Sequence, residues 1–165
     1  MTIDEWNQRY RTRDALDSEP ARLLLDAARE LPPGRALDLA CGAGRNALWL
    51  ARNGWEVVAI DGAEEAIRLV REQQPPVDAR VADLENGEPL PFADRSFDLV
   101  LILYYLHRPL FAEARRVVRH GGTIVVAVRT KGRFAIGEGE LMEHFEGCNV
   151  LHHETGEIEE LIVKI

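Results

Sequence analysis

Cysteine is scarce in this chain: Cys41 and Cys148 are its only two. They set neither a disulfide framework nor a metal-ligand spacing, so no metal site is expected. Cys41 stands in a glycine turn, where a small side chain packs. Long apolar runs are missing as well, none approaching the ~20 residues of a membrane span. The opening Met-Thr-Ile-Asp-Glu-Trp is too acidic and polar for a signal peptide. The expected setting is cytoplasmic and reduced. Positive charge is in deficit, with 20 Lys and Arg against 28 Asp and Glu and a formal net charge of −8. A general nucleic-acid partner calls for a basic face, which this balance disfavours. No repeat, low-complexity tract or long linker interrupts the 165 residues, which read as one domain, 1–165, with room for a proper core.

Strands and helices alternate along most of the chain, which implies right-handed βαβ units and a parallel sheet. Residues 3 to 13 read as a short amphipathic helix with Trp6 and Tyr10 four apart on one face. Ser18 is placed to cap a second helix, with Pro20 in its first turn, running to about Glu30. Strands follow at Ala36–Ala40, Trp55–Ile60, Val77–Ala82, Phe97–Leu103 and Thr123–Arg129. Helices are expected from Asn46, over Ala63–Glu72 and over Leu110–Arg119, with a short one over Glu138–Phe145. The end reads as an antiparallel hairpin, Asn149–Glu154 and Ile158–Val163 about a turn at Thr155-Gly156. The fold class is thus α/β: a Rossmann-like, seven-stranded, mostly parallel sheet with its last strand antiparallel and helices on both faces.

The most telling run is Arg35-Ala-Leu-Asp-Leu-Ala-Cys-Gly-Ala-Gly-Arg-Asn46, a buried strand breaking into a glycine turn with a helix opening beyond it. Glycine lets the backbone approach a ligand with no Cβ in the way, and a new helix offers unpaired N–H groups. That combination suits an adenosine-type cofactor. Gly42-Ala-Gly44-Arg-Asn-Ala47 also fits the dinucleotide pattern G-x-G-x-x-G/A, so the strand tips must decide. Asp38, four residues before Gly42, stands where a dinucleotide strand is usually apolar. It is placed to orient the turn and face the cationic end of S-adenosylmethionine (SAM). Asp61 ends the second strand, where a carboxylate can accept from both ribose hydroxyls, a helix N-cap being the plainer alternative. Asp83 and Leu84 end the third, an acid for the adenine amino group and a cover for one ring face.

These residues resemble the class I SAM-dependent methyltransferases over nearly the full length. Leu-Asp-Leu-Ala-Cys-Gly-Ala-Gly looks like their first motif, Val-Val-Ala-Ile-Asp61 their second, Val-Ala-Asp83-Leu their third, and Pro89 to Val100 their approach to strand four. Trp6-Asn-Gln-Arg-Tyr10, Cys-Gly-Ala-Gly-Arg45-Asn46 and Gly139-Glu-Leu-Met-Glu-His-Phe145 are most similar to the tellurite-resistance-type small-molecule methyltransferases. The resemblance implies SAM as cofactor and S-adenosyl-L-homocysteine (SAH) as product. It also implies cofactor contacts from Ala40, Gly42, Gly44, Arg45, Asn46, Gly62 and Leu103, and a lid of N-terminal helices over residues 1–31 before a core at 35–165. Trp6 and Tyr10 would dock over the methionine end; Arg45 would reach the SAM carboxylate or bridge to a surface acid.

Tyr104-Tyr-Leu-His-Arg108 follows strand four, where this class lines the methyl-transfer site. Tyr104 and His107 are the catalytic candidates, His107 as base or surface histidine. Tyr105, Arg129 and Arg133, with Lys131 between the arginines, are candidates for holding the substrate, a solvated loop being the bland alternative. So small a chain fits a small acceptor: a thiol, metalloid oxyanion or carboxylate. Monomer and homodimer both remain open. The alternative to an enzyme is a non-catalytic SAM-binding sensor or partner-supporting module.

Overall fold

Leu37 and Leu39 project to one side of their strand while Ala36 and Asp38 project to the other, so both sides need cover. The computed structural model describes residues 1–12 and 17–165; Arg13, the expected last residue of the first helix, lies outside them. The elements run α1 (Ile3–Thr12), α2 (Arg22–Ala28), β1 (Arg35–Leu39), α3 (Arg45–Arg52), β2 (Glu56–Asp61), α4 (Glu64–Arg71), β3 (Asp78–Val81) and β4 (Phe97–Leu103). They continue with α5 (Pro109–Val117), β5 (Val118–Arg129), α6 (Glu140–His144), β6 (Asn149–Thr155) and β7 (Ile158–Lys164). One sheet forms in the order β3-β2-β1-β4-β5-β7-β6. β1 to β5 pair in parallel, and β7 lies antiparallel to both β5 and β6. The α/β sheet expected from the sequence is the one that forms.

Two apolar clusters cover its faces. Leu37, Leu39, Val100 and Ile102 pack with Phe111 of α5 and Leu141 of α6. Ala36, Leu99 and Leu101 pack with Leu24 of α2, Leu50 of α3 and Ile67 and Val70 of α4. No helix among the described residues is long and apolar enough to cross a membrane.

In three places the element boundaries differ by more than one residue from the sequence reading. Ser18 caps nothing: α2 starts at Arg22, after an extended Ala21 with no side-chain cap, and stops at Ala28. The cause is tertiary. The Ala21 N–H donates to Asn46 Oδ1 at 2.8 Å, and Arg45 holds both the Asp17 carboxylate and the Glu19 carbonyl. Residues 17–21 are therefore drawn along the start of α3 as a strap. α5 ends at Val117 rather than Arg119, because Val118 is buried and pairs with Phe97, so β5 begins five residues before Thr123. α6 starts at Glu140, since Gly139 has φ +76°, outside helical space.

Candidate active site

β1 and β4 are neighbours in the sheet, but α3 crosses on one face and α5 on the other, so the chain parts between them. Ligands of open α/β sheets gather at such a switch point. Each strand turns out of the sheet through a left-handed residue that is not glycine, Ala40 at φ +58° and Tyr104 at φ +61°. Such backbone is uncommon and collects at functional sites. A cavity of about 790 Å³ opens there, a size that takes a drug-like ligand. It is lined by fourteen of the residues expected: Trp6, Tyr10, Ala40, Gly42, Arg45, Asn46, Asp61, Gly62, Asp83, Leu84, Leu103, Tyr104, Tyr105 and Arg129.

The two glycines of the turn do different work. Gly42, at φ +55°, is on the cavity floor, and a Cβ there would lie 2.6 Å from the Tyr10 hydroxyl. Gly44, at φ +86°, does not line the cavity. A Cβ on it would meet Val70 Cγ2 at 2.6 Å, so Gly44 permits the close approach of α3 to α4. Asp38 is off the cavity lining too, buried beneath the turn with one carboxylate oxygen unpartnered. Burial, reinforced by the charge of Asp61, pushes its pKa up to about 7 against the pull of the Ala47 N–H and Arg45.

Asp61 bolts the turn in place. One oxygen accepts the Gly42 N–H at 2.9 Å and the other the Ala63 N–H at 2.8 Å. Burial raises its pKa, and these N–H groups oppose that rise. A carboxylate oxygen can accept more than one hydrogen bond, and Asp61 lines the cavity. Asp83 closes a tight turn by accepting the Glu85 N–H at 2.9 Å.

α1 roofs this end. Trp6 and Tyr10 stack at 5.8 Å, and Asn7 Oδ1 accepts the Glu65 N–H at 3.0 Å, capping α4, whose own N-cap residue, Ala63, makes no side-chain cap. Arg11 pairs with Glu65 at 3.2 Å. Tyr10 is buried, which, with the charge of Asp61, raises the pKa of its phenol.

At the β4 end of the cavity, Tyr104 is exposed, with the Arg45 guanidinium 5.5 Å over its ring. The Tyr105 hydroxyl donates to Glu85 Oε1 at 2.7 Å, and burial with that bond raises its pKa. His107, Lys131 and Arg133 do not line the cavity. Arg133 instead lies over the exposed ring of Phe134. Arg129 lines the cavity, and its guanidinium makes no hydrogen bond or ion pair among the described residues.

Several lining residues were missed. Arg9, Ile3 and Glu85 were readable in principle, the first two as the α1 positions flanking Trp6 and Tyr10, Glu85 as the acid two after Asp83. Ala63 was readable in the same way, two after Asp61, whereas Asp17 carried no signal, since only the fold brings it to the cleft.

The family model described as a methyltransferase domain matches residues 37–126. A demethylmenaquinone methyltransferase of Renibacterium salmoninarum is 36% identical over 111 residues, 64% of this chain and 46% of that protein. A malonyl-[acyl-carrier protein] O-methyltransferase of Erwinia pyrifoliae is 29% identical over 163 residues, 90% of this chain and 61% of that protein. The chain spans about half the length of the curated relatives it matches. Among solved structures, TehB from Haemophilus influenzae superposes with a TM-score of 0.82 at 16% identity, over 96% of this chain and 66% of that one. A TehB-like SAM-dependent methyltransferase from Corynebacterium glutamicum does so with a TM-score of 0.74 at 21% identity, over 98% and 97%. These two likenesses are of fold. The chain belongs to the SAM-dependent methyltransferase domain family.

Proposed function

We propose that the cleft holds SAM and delivers its methyl group to a small, soft or anionic acceptor: a thiol, a metalloid oxyanion or a carboxylate. One observation carries the acceptor class. Of the cavity's arginines, Arg9 lies over the Trp6 ring and Arg45 is tied to Asp17, whereas Arg129 is without a protein partner among the described residues. Arg129 is exposed at the end of β5, and its free guanidinium offers paired N–H donors to an oxyanion entering the cleft.

The residues present suit the cofactor. Asp61 has lone pairs for a ribose diol, Asp83 has an oxygen for an adenine amino group, and Leu84 offers an apolar side to the ring. Gly42 leaves the floor open where a Cβ would collide with Tyr10. SAM supplies a methyl carbon already activated by its sulfonium. The chain's part is to orient, to exclude water with Trp6 and Tyr10, and to hold the acceptor in line about 3–3.5 Å from that carbon. A soft anion needs no general base for this, in keeping with a His107 that lies off the cavity lining.

Thiols, selenite, tellurite and small carboxylates, screened against alcohols and amines for conversion of SAM to SAH, test the reading. Arg129→Ala is expected to raise KM for the acceptor at least about tenfold, the scale of one charge-assisted hydrogen bond, with SAM affinity unchanged. Activity confined to neutral alcohols or amines, lost in His107→Ala and intact in Arg129→Ala, overturns it. SAM binding with no turnover on any acceptor would favour a sensor.

A further inference from the structure

β6 is the outer strand of the sheet, hydrogen-bonded to β7 alone. Their register sets Glu154 directly opposite Glu160. Two like charges facing each other across a strand pair cost stability unless something positive lies between them. Neither carboxylate has a lysine or arginine within ion-pair distance among the described residues. The group beside them is His152, two residues before Glu154 and so on the same side of β6. Its Nε2 stands 3.7 Å from Glu160 Oε2, too far for a hydrogen bond, and is sealed from solvent without a hydrogen-bond partner. The opposite side of the same hairpin shows a closed pair for contrast: His153 Nε2 lies 2.9 Å from Oε1 of the buried Glu159.

One ligand atom from each of His152, Glu154 and Glu160 lies within 4.8 Å of the other two. An imidazole nitrogen with two carboxylates is a donor set for zinc and its first-row neighbours, whereas calcium and magnesium prefer oxygen alone. A zinc ion about 2.0–2.2 Å from each atom needs them drawn together by about an ångström, a movement that the rotatable glutamate side chains supply. We propose that His152, Glu154 and Glu160 bind one divalent transition-metal ion such as zinc, with water completing its shell. Two ligands come from β6 and one from β7, so the ion clips the outer strand to its neighbour. Its charge balances the facing carboxylates, and the orphaned His152 nitrogen gains a partner. None of the three residues lines the cleft, so the site is separate from the one described above. The two cysteines gave no sign of it, because its ligands are imidazole and carboxylate and meet through strand register rather than a short spacing.

Calorimetry of the full chain with zinc chloride, in a buffer that does not chelate the metal, tests the site, with magnesium and calcium chloride for comparison. Zinc is expected to bind at least about tenfold more tightly than either. His152→Gln and Glu160→Gln should each weaken zinc at least about tenfold, since even the supporting partner of a metal ligand is worth that much. His144→Gln, at the histidine–glutamate pair with Glu140 on α6, should leave zinc affinity as it is. Melting curves verify that each variant folds, and added zinc should raise the melting temperature of the wild type but not of His152→Gln. Zinc binding that is absent, that survives in both hairpin variants, or that is lost in His144→Gln instead overturns the proposal, as does tighter binding of magnesium or calcium.

Discussion

Replacing Asp61 with asparagine exchanges one carboxylate oxygen for an NH₂ group, and both oxygens are in use. The Gly42 N–H at 2.9 Å and the Ala63 N–H at 2.8 Å each point at one of them. The amide can satisfy only one, and turns a donor against the other. A hydrogen bond to a charged group is worth about 1.5–3 kcal/mol. Part of that loss is offset because a neutral amide is cheaper to bury than the carboxylate. The net cost is expected at about 1–2 kcal/mol, a melting temperature lower by roughly 2–8 °C for a chain of this size. SAH affinity should fall further, by about 10- to 150-fold, because the ribose meets one neutral acceptor in place of a carboxylate. Differential scanning fluorimetry without ligand and calorimetry with SAH read the two effects separately. An unchanged melting temperature refutes the bolt, and an unchanged affinity in folded protein refutes the ribose contact.

Gly44→Ala is expected to cost about 2 kcal/mol or more, measured by urea unfolding, from its left-handed backbone and the 2.6 Å approach to Val70. Adding Val70→Ala should relieve only the steric part. Asn7→Ala removes the cap of α4 and should lower stability by about 1 kcal/mol by the same assay. Deleting residues 1–12 should leave a folded core, seen by circular dichroism, with weaker SAM retention in filter binding. Asp38 is protonated more readily folded than unfolded, so between its ordinary range and about 7 the native state holds the extra proton and stability falls as pH rises. Asp38→Asn should therefore gain on the wild type in melting temperature from pH 4 to pH 8, and a constant difference would refute the burial argument.

The parts of the fold that were legible are those where one segment carries its own signal. β4 runs from Phe97 to Leu103 because that stretch is largely apolar on both faces, and the closing hairpin follows from two strand-length runs on either side of the turn at Thr155-Gly156. Asp61, Asp83, Trp6 and Tyr10 reach the cavity because strand tips and a helical spacing of four are local facts. What failed was settled at a distance. Ser18 and Pro20 looked like a helix start, but Asn46, 25 residues on, takes the Ala21 N–H and keeps the strap extended. Gly44 looked like a ligand glycine until α4 packed against it. His107 sits only three residues beyond Tyr104, yet the turn out of β4 leaves it off the lining.

The cleft owes its opening to main chain at Ala40 and Tyr104, whose positive φ angles swing two adjacent strands out of the sheet together. Ala40 has almost no side chain to contribute, so on its side the notch is a property of the backbone route. On the other side the Tyr104 N–H is held by the Ala127 carbonyl at 2.6 Å, an anchor indifferent to the side chain it carries. The two halves of the gap are thus secured separately from the groups that fill it. Of residues 104–108 only Tyr104 and Tyr105 line the cavity, so on the reading proposed above the loop after β4 is where a change of acceptor would be sought first.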